Sequence, residues 1–256
     1  MIDRQTINVD CLYVNGDSWV RGSELIDPTS DVTDHFDHVH EQYRMKHQWG
    51  KLLADSLGLE FIDGSMAGGS NDYILRTTVK DVSQLRREGR RPLVIVAWSQ
   101  LQRFELPIGP DGSLYHALVT PANSDNPKAA LEIWSKFSSD RSDLVRWLGH
   151  IILLDSFLKV NGINYFGTTV FASPYRILES FIKTKDFEPY LYQLATNVNL
   201  HRHMLNFSLE SILLQYDAVA YGPGGHPLAE GHVLLAKYLQ AQLEQRYTIK
   251  TTQAPR

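Results

Sequence analysis

Apolar positions along this chain fall alternately into short unbroken runs and longer helical stripes. The run 11–14, Cys11-Leu12-Tyr13-Val14, stops at Asn15-Gly16-Asp17-Ser18 and predicts a buried strand that ends in a tight turn. A stripe through Phe36, Val39, Tyr43, Trp49, Leu52, Leu53 and Leu57 predicts a helix over 34–57, closed by Gly58. The run 59–63 then predicts a second strand, completing a strand-helix-strand unit that lays its strands parallel. A helix over 73–87 leads to Leu93-Val94-Ile95-Val96-Ala97-Trp98, the clearest buried strand and the expected centre of the sheet.

The second half is less regular. Pro110-Asp111-Gly112 between 104–108 and 114–120 predicts a hairpin. Helices are expected over 129–137 and 142–160, a strand over 163–171, and mainly helix over 175–216. A final helix over 228–247 buries Leu228, Leu234, Leu235, Tyr238, Leu239 and Leu243, and 248–256 is read as a tail. The hairpin and extra helix form an insertion at about 103–160 in an otherwise single domain spanning 1–256, and they are candidate walls for a substrate site.

Composition narrows the function classes. With 43% hydrophobic and 21% charged residues the chain is ordinary for a globular protein, and a net charge of −4 gives no reason to expect a nucleic-acid partner. The single cysteine, Cys11, lies in the first strand, so the fold needs no internal disulfide. The N-terminus lacks the apolar core of a signal peptide and no apolar run reaches a membrane span, so cytoplasmic synthesis without membrane insertion is expected.

Two readings of the first turn stand. Asp17 or Ser18 caps the next helix, or the turn presents Ser18 as a nucleophile. A serine hydroxyl is a poor nucleophile unless a base takes its proton, and the far end of the chain offers one. There Gly224-Gly225-His226-Pro227 precedes the final helix, on a loop from which His226 can reach back. The glycine-rich stretch 64–70 leads into Asn71 and Asp72, which supplies both a helix cap and backbone amides open to an anion. His35, His38, His40 and His47 match no compact ligand spacing, so they are read as a polar face rather than a metal centre.

Gly16-Asp17-Ser18 at a strand end, together with His226-Pro227 and the trailing Gly231-His232, resembles the SGNH (GDSL-type) hydrolase superfamily. The resemblance implies a three-layer α/β/α sandwich around a mainly parallel, flavodoxin-like sheet, with no cofactor and no metal. It implies Ser18 as nucleophile and His226 as base, with oxyanion donors from the Ser18 amide and the second-block glycine, read as Gly69 with Gly68 adjacent. The superfamily's asparagine after the central strand is replaced here, in Ala97-Trp98-Ser99-Gln100, by Ser99; Ser99 and Asn71 are the candidate donors in its place. The orienting acid usually stands three residues before the histidine, where this chain has Pro223. A Ser-His dyad is therefore expected, its imidazole oriented by a main-chain carbonyl or else by Asp217 or Glu230 approaching from elsewhere.

Asp17, Trp98 and Arg103 are further orienting or pocket candidates; Asn71 and Arg76 either face the pocket or serve as a cap and a surface charge, and Arg103 with Glu105 is read as a structural ion pair at the pocket rim in preference to a substrate contact. The resemblance implies a carboxylic ester hydrolase acting on small acyl groups, such as acetyl, of a carbohydrate or similar alcohol. The alternative is a member of the fold with little or no catalysis, which binds glycans or serves as a virion structural protein. The combination of Gly68-Gly69-Ser70-Asn71-Asp72 with Trp98-Ser99 also resembles SGNH-like proteins of tailed bacteriophages. The expected partner is a glycan or small-molecule ester, without nucleic acid or membrane, while self-association and virion association stay open.

Overall fold

The computed structural model describes residues 4–34, 37–107, 114–115, 128, 132, 135–136, 138–184, 207–216 and 219–251. Strands β1 (Gln5–Val9) and β2 (Cys11–Asn15) lead into a short helix α1 (Ser18–Arg21). After a 3₁₀ turn at His38–His40 come α2 (Glu41–His47), α3 (Trp49–Leu57), β3 (Glu60–Asp63), α4 (Asn71–Arg87) and β4 (Pro92–Trp98). A two-rung hairpin of β5 (Leu106–Pro107) and β6 (Leu114–Tyr115) follows, then α5 (Asp140–Val160) and β7 (Asn164–Thr169). The chain finishes with α6 (Ser173–Thr184), α7 (Leu209–Leu213), α8 (Ala229–Arg246) and β8 (Tyr247–Thr251).

The main sheet has the order β3-β2-β4-β7, all parallel, so both β2 and β4 are inner strands. Alternate residues of a strand face opposite sides, and both sides here are roofed by helices. Leu12, Val14, Leu93, Ile95 and Phe166 pack with Trp49 and Leu53 of α3, Ile212 of α7, and Leu235, Leu239 and Leu243 of α8. Tyr13, Val94, Val96 and Tyr165 pack on the other side with Ile74 and Val82 of α4, Leu144, Trp147 and Leu148 of α5, and Leu178 of α6. The result is an α/β/α sandwich. All its strands end at one edge, where Asn15, Asp63, Trp98 and Thr169 release the loops that matter for chemistry.

At that edge Asn15 ties the sheet to α4. Its side chain is fully buried, its amide lies 2.8 Å from Thr77 Oγ1 and 2.9 Å from Thr78 Oγ1, and its Oδ1 accepts from the Gly16 N–H. A polar residue closing a buried strand is stable only when such partners exist.

The structure departs from the sequence expectations in three places. The helix expected over 34–57 is broken at Gln48, whose extended backbone (φ −65°, ψ 143°) separates α2 from α3 while its amide donates to Asp63. Trp49 and Leu53 of the expected stripe are buried, but in its first half Val39 is 47% exposed while His40 and Arg44 are buried. The tail read over 248–256 contains β8, which pairs in parallel with β1 from Gln5↔Tyr247 to Val9↔Thr251. Most of the expected hairpin and the helix over 129–137 lie outside the described residues, as do much of 175–216, His35, His201, His203 and Asp217.

Asp10 stitches β1 to the main sheet. Its buried carboxylate accepts from Arg90 Nε at 3.1 Å and from the Arg91 N–H at 3.0 Å, and its backbone N–H donates to Arg91 O. Burial and the neighbouring Asp10 push the Cys11 thiol up to about 12, which makes it a packing residue rather than a reactive one.

Candidate active site

The site is built from the turn after β2 and the loop before α8. Asp17 caps α1, its Oδ1 accepting from the Trp19 N–H, and this places Ser18 at the first helical position with 7% exposure. Helix α1 lasts only one turn because Gly22 closes it in the left-handed region (φ 72°), with its N–H returned to Ser18 O. That sharp stop swings Ser23 and Glu24 back beneath the turn, where both are buried.

The opposing loop folds back on itself. Gly222 N–H donates to His226 O, Gly225 N–H donates to Gly222 O with Gly225 at φ 79°, and Tyr221 pairs across with Pro227. This aims the His226 ring at Ser18, with Nε2 2.7 Å from Ser18 Oγ. On its far side Nδ1 lies 2.8 Å from Glu24 Oε2. A carboxylate can only accept, so Nδ1 carries the proton and Nε2 is the acceptor for the serine hydroxyl.

Glu24 also accepts from the Gly224 N–H at 2.7 Å and the His226 N–H at 2.8 Å. Burial works to raise the Glu24 carboxyl, but these hydrogen bonds and the imidazole outweigh it and hold the group below its ordinary value. The expected two-residue arrangement is thus corrected to three: the orienting carboxylate is Glu24, which sequence reasoning did not single out. Glu230 takes no part in that bond, and Asp217 lies outside the described residues.

A cavity of 430 Å³ opens over Ser18 and His226, lined also by Trp19, Ala67, Gly68, Gln100, Arg103, Phe171, Gly224 and Gly225. Its size falls within the usual range for small-ligand pockets. Trp19 and Phe171 meet edge to face at 5.4 Å and form its apolar wall.

The expected oxyanion donors are placed differently from expectation. Gly69 donates its N–H to Met66 O, so it is spent within the loop, whereas Gly68 (φ 75°) borders the cavity. Asn71 is buried, its amide donating to Gln100 O and its Oδ1 accepting from the Ser99 N–H. The Ser99 hydroxyl turns away to donate to Asp17 Oδ2 at 2.6 Å. Among the described residues, the backbone N–H groups of Ser18 and Gly68 have no hydrogen-bond partner.

Asp17 does not touch His226. Its fully buried carboxylate is held by Ser99 and by Arg103 Nη1 at 3.1 Å. The ion pair expected between Arg103 and Glu105 is therefore replaced by two: Arg103 with Asp17, and Arg76 with Glu105 at 3.0 Å. Arg76 lies over the Tyr73 ring and does not line the cavity, and Trp98, the last residue of β4, is buried in the core on the side of α4 and α5. Among the helical histidines, His40 accepts from the Asp27 N–H through Nδ1 and donates to Val32 O, and His47 donates to Tyr43 O.

The backbone is similar to two solved esterases. One is a carbohydrate esterase whose active site displays divergent catalytic and non-catalytic binding functions: TM-score 0.51, 14% identity, covering 96% of this chain and 70% of that one. The other is an acetyl xylan esterase (Est2A) from the rumen bacterium Butyrivibrio proteoclasticus: TM-score 0.52, 11% identity, covering 95% of this chain and 66% of that one. The chain thus spans about two thirds of the length of each, and what it shares with them is the SGNH hydrolase fold. No curated protein sequence is significantly similar to it. Residues 24–255, from Glu24 through the His226 loop and past the end of β8, match one family model, and the chain belongs to that family, DUF6071, a family of unknown function.

Proposed function

We propose that this chain is a serine carboxylic ester hydrolase that removes small acyl groups, acetyl first among them, from a carbohydrate or similar alcohol. The observation that carries the proposal is the unbroken line Glu24 Oε2, His226 Nδ1, His226 Nε2, Ser18 Oγ, with both links under 3 Å. Ser18 Oγ adds to the ester carbonyl while its proton passes to His226 Nε2. The carbonyl electron pair moves onto oxygen, where the N–H groups of Ser18 and Gly68 receive it. On collapse the alcohol leaves with the proton from His226, and water repeats the sequence to release the acid. Glu24 keeps its charge throughout and stabilises the imidazolium. The likeness to carbohydrate esterases supports the substrate class, and the small cavity with its Trp19 and Phe171 wall supports a short acyl group.

The second reading, a binding module, draws on one observation: the two side chains expected as the third oxyanion donor are spent elsewhere, the Asn71 amide on Gln100 O and the Ser99 hydroxyl on Asp17 Oδ2. Fluorophosphonate labelling with peptide mapping, paired with hydrolysis of short-chain nitrophenyl esters, separates the two. The enzyme labels at Ser18, loses the label in Ser18→Ala and labels slowly in His226→Ala. A folded wild-type chain that neither labels nor hydrolyses any acetyl ester establishes the binding module instead.

A further inference from the structure

Two backbone amides make an incomplete cradle for an oxyanion, and the side chains expected to finish it are committed elsewhere. One cationic side chain on the cavity is only half used. Arg103 places Nη1 3.1 Å from Asp17 Oδ2 and 3.1 Å from Ser99 Oγ, which accounts for one arm of the fork. Its Nε is buried without a partner, and its Nη2 has none among the described residues. The side chain is only 13% exposed, so these donors are neither paired in the protein nor freely hydrated. A buried N–H left without a partner is costly unless something else satisfies it.

We propose that Arg103 is a catalytic residue that donates the third hydrogen bond to the oxyanion formed when Ser18 adds to an ester; this rests on reading Ser18 as the nucleophile. Asp17 is the residue immediately before Ser18 and has a fully buried carboxylate, so the ion pair that neutralises Asp17 also parks the guanidinium beside the nucleophile. Ser99 holds the same nitrogen. The donor is therefore fixed before substrate arrives, which is the condition under which an electrostatic contact lowers a barrier without reorganisation. Arg103 gains no proton and loses none; as the Ser18 Oγ–C bond forms, the N–H bonds of Nη2, the unpaired arm of the fork that is not sealed in the protein, are the ones offered to the negative charge. Gln100 also borders the cavity, but its side-chain amide has no partner to hold it in place.

The test uses the full chain and nitrophenyl acetate. Comparing Asp17→Asn with Asp17→Asn/Arg103→Met removes the guanidinium without stranding a buried carboxylate, and thermal unfolding confirms that both fold. The expected result is a loss in kcat of about 10²–10³-fold with KM changed less than about threefold, and partial recovery of kcat on adding millimolar guanidinium. Arg103→Lys, which keeps the ion pair but not the fork, is the second variant and is expected to lose about tenfold or more in kcat at an unchanged melting point. Unchanged kcat in both backgrounds overturns the proposal. So does Gln100→Ala abolishing turnover while the Arg103 variants retain it. In both cases labelling at Ser18 in the wild type still stands, so the esterase reading survives. Absence of labelling and of hydrolysis in the wild type removes that reading and this one together.

Discussion

Glu24 accepts three hydrogen bonds from a loop 200 or more positions away, from the Gly224 N–H, the His226 N–H and His226 Nδ1. One carboxylate thus shapes the loop backbone and sets the tautomer of the ring it presents to Ser18. Glu24→Gln keeps the volume but offers an amide to Nδ1, which favours the wrong tautomer. The expected outcome is a fall in kcat of roughly 10²–10⁴-fold with little change in KM, read on nitrophenyl acetate. A variant as fast as wild type would show that the carboxylate is dispensable for turnover.

Gly222 guards the same carboxylate by having no side chain. A Cβ there would sit 2.6 Å from Glu24 Cδ, 2.7 Å from Oε2 and 2.8 Å from Oε1. Gly222→Ala is therefore expected to push Glu24 off its three donors and to lower kcat much as Glu24→Ala does. The double variant should be no slower than Glu24→Ala alone, and a double-mutant cycle on kcat measures that coupling. Additive losses would mean that Gly222 acts through something other than Glu24.

His232 gives the fold a response to acid. It is fully buried, its Nδ1 accepts from the Trp49 N–H, and burial lowers it to about 3 from an ordinary 6.5. Above pH 6.5 it is neutral in both folded and unfolded chains and contributes no slope. Below that, the unfolded chain takes up a proton the folded one refuses, so stability falls by up to about 1.4 kcal/mol per pH unit towards pH 3. Glu24 adds a second limb: its carboxyl is held down in the fold, so its stabilisation is complete above the ordinary value of 4.5 and is lost as pH falls through the depressed one. Denaturant unfolding across pH 7 to 4 should show the first limb in wild type and its removal in His232→Gln.

Asp10→Ala is expected to cost about 2–3 kcal/mol, because it strands the Arg91 N–H and leaves Arg90 only Glu60 as a partner at the joint between β1 and β2. Urea unfolding checks this, and a loss under 0.5 kcal/mol, the surface-substitution level, would contradict the stitched joint.

The elements that follow from side-chain pattern were legible. Val94, Val96 and their neighbours form an unbroken apolar run because β4 is covered on both faces, and Asn15-Gly16 marked where β2 stops. What escaped notice depends on partners distant in sequence. Nothing in Ser23-Glu24 distinguishes it from an ordinary polar loop until the His226 loop arrives beside it. Tyr247 to Thr251 is mostly polar and exposed, and it is a strand only because β1 lies alongside. Its alternation through Tyr247 and Ile249, matched by Ile7 and Val9, was the signal available. Ser99 read as an oxyanion donor because of its place after β4, whereas in three dimensions Asp17 claims its hydroxyl.

Ser18 and Glu24 belong to one short segment, while His226 lies 208 positions beyond the serine. On the esterase reading, the hydroxyl gains its reactivity only in molecules whose opposite ends have found each other. A covalent probe of Ser18 then counts native molecules, silent on any chain that has collapsed but not closed, and its kinetics during refolding would time the closure of that one long-range contact.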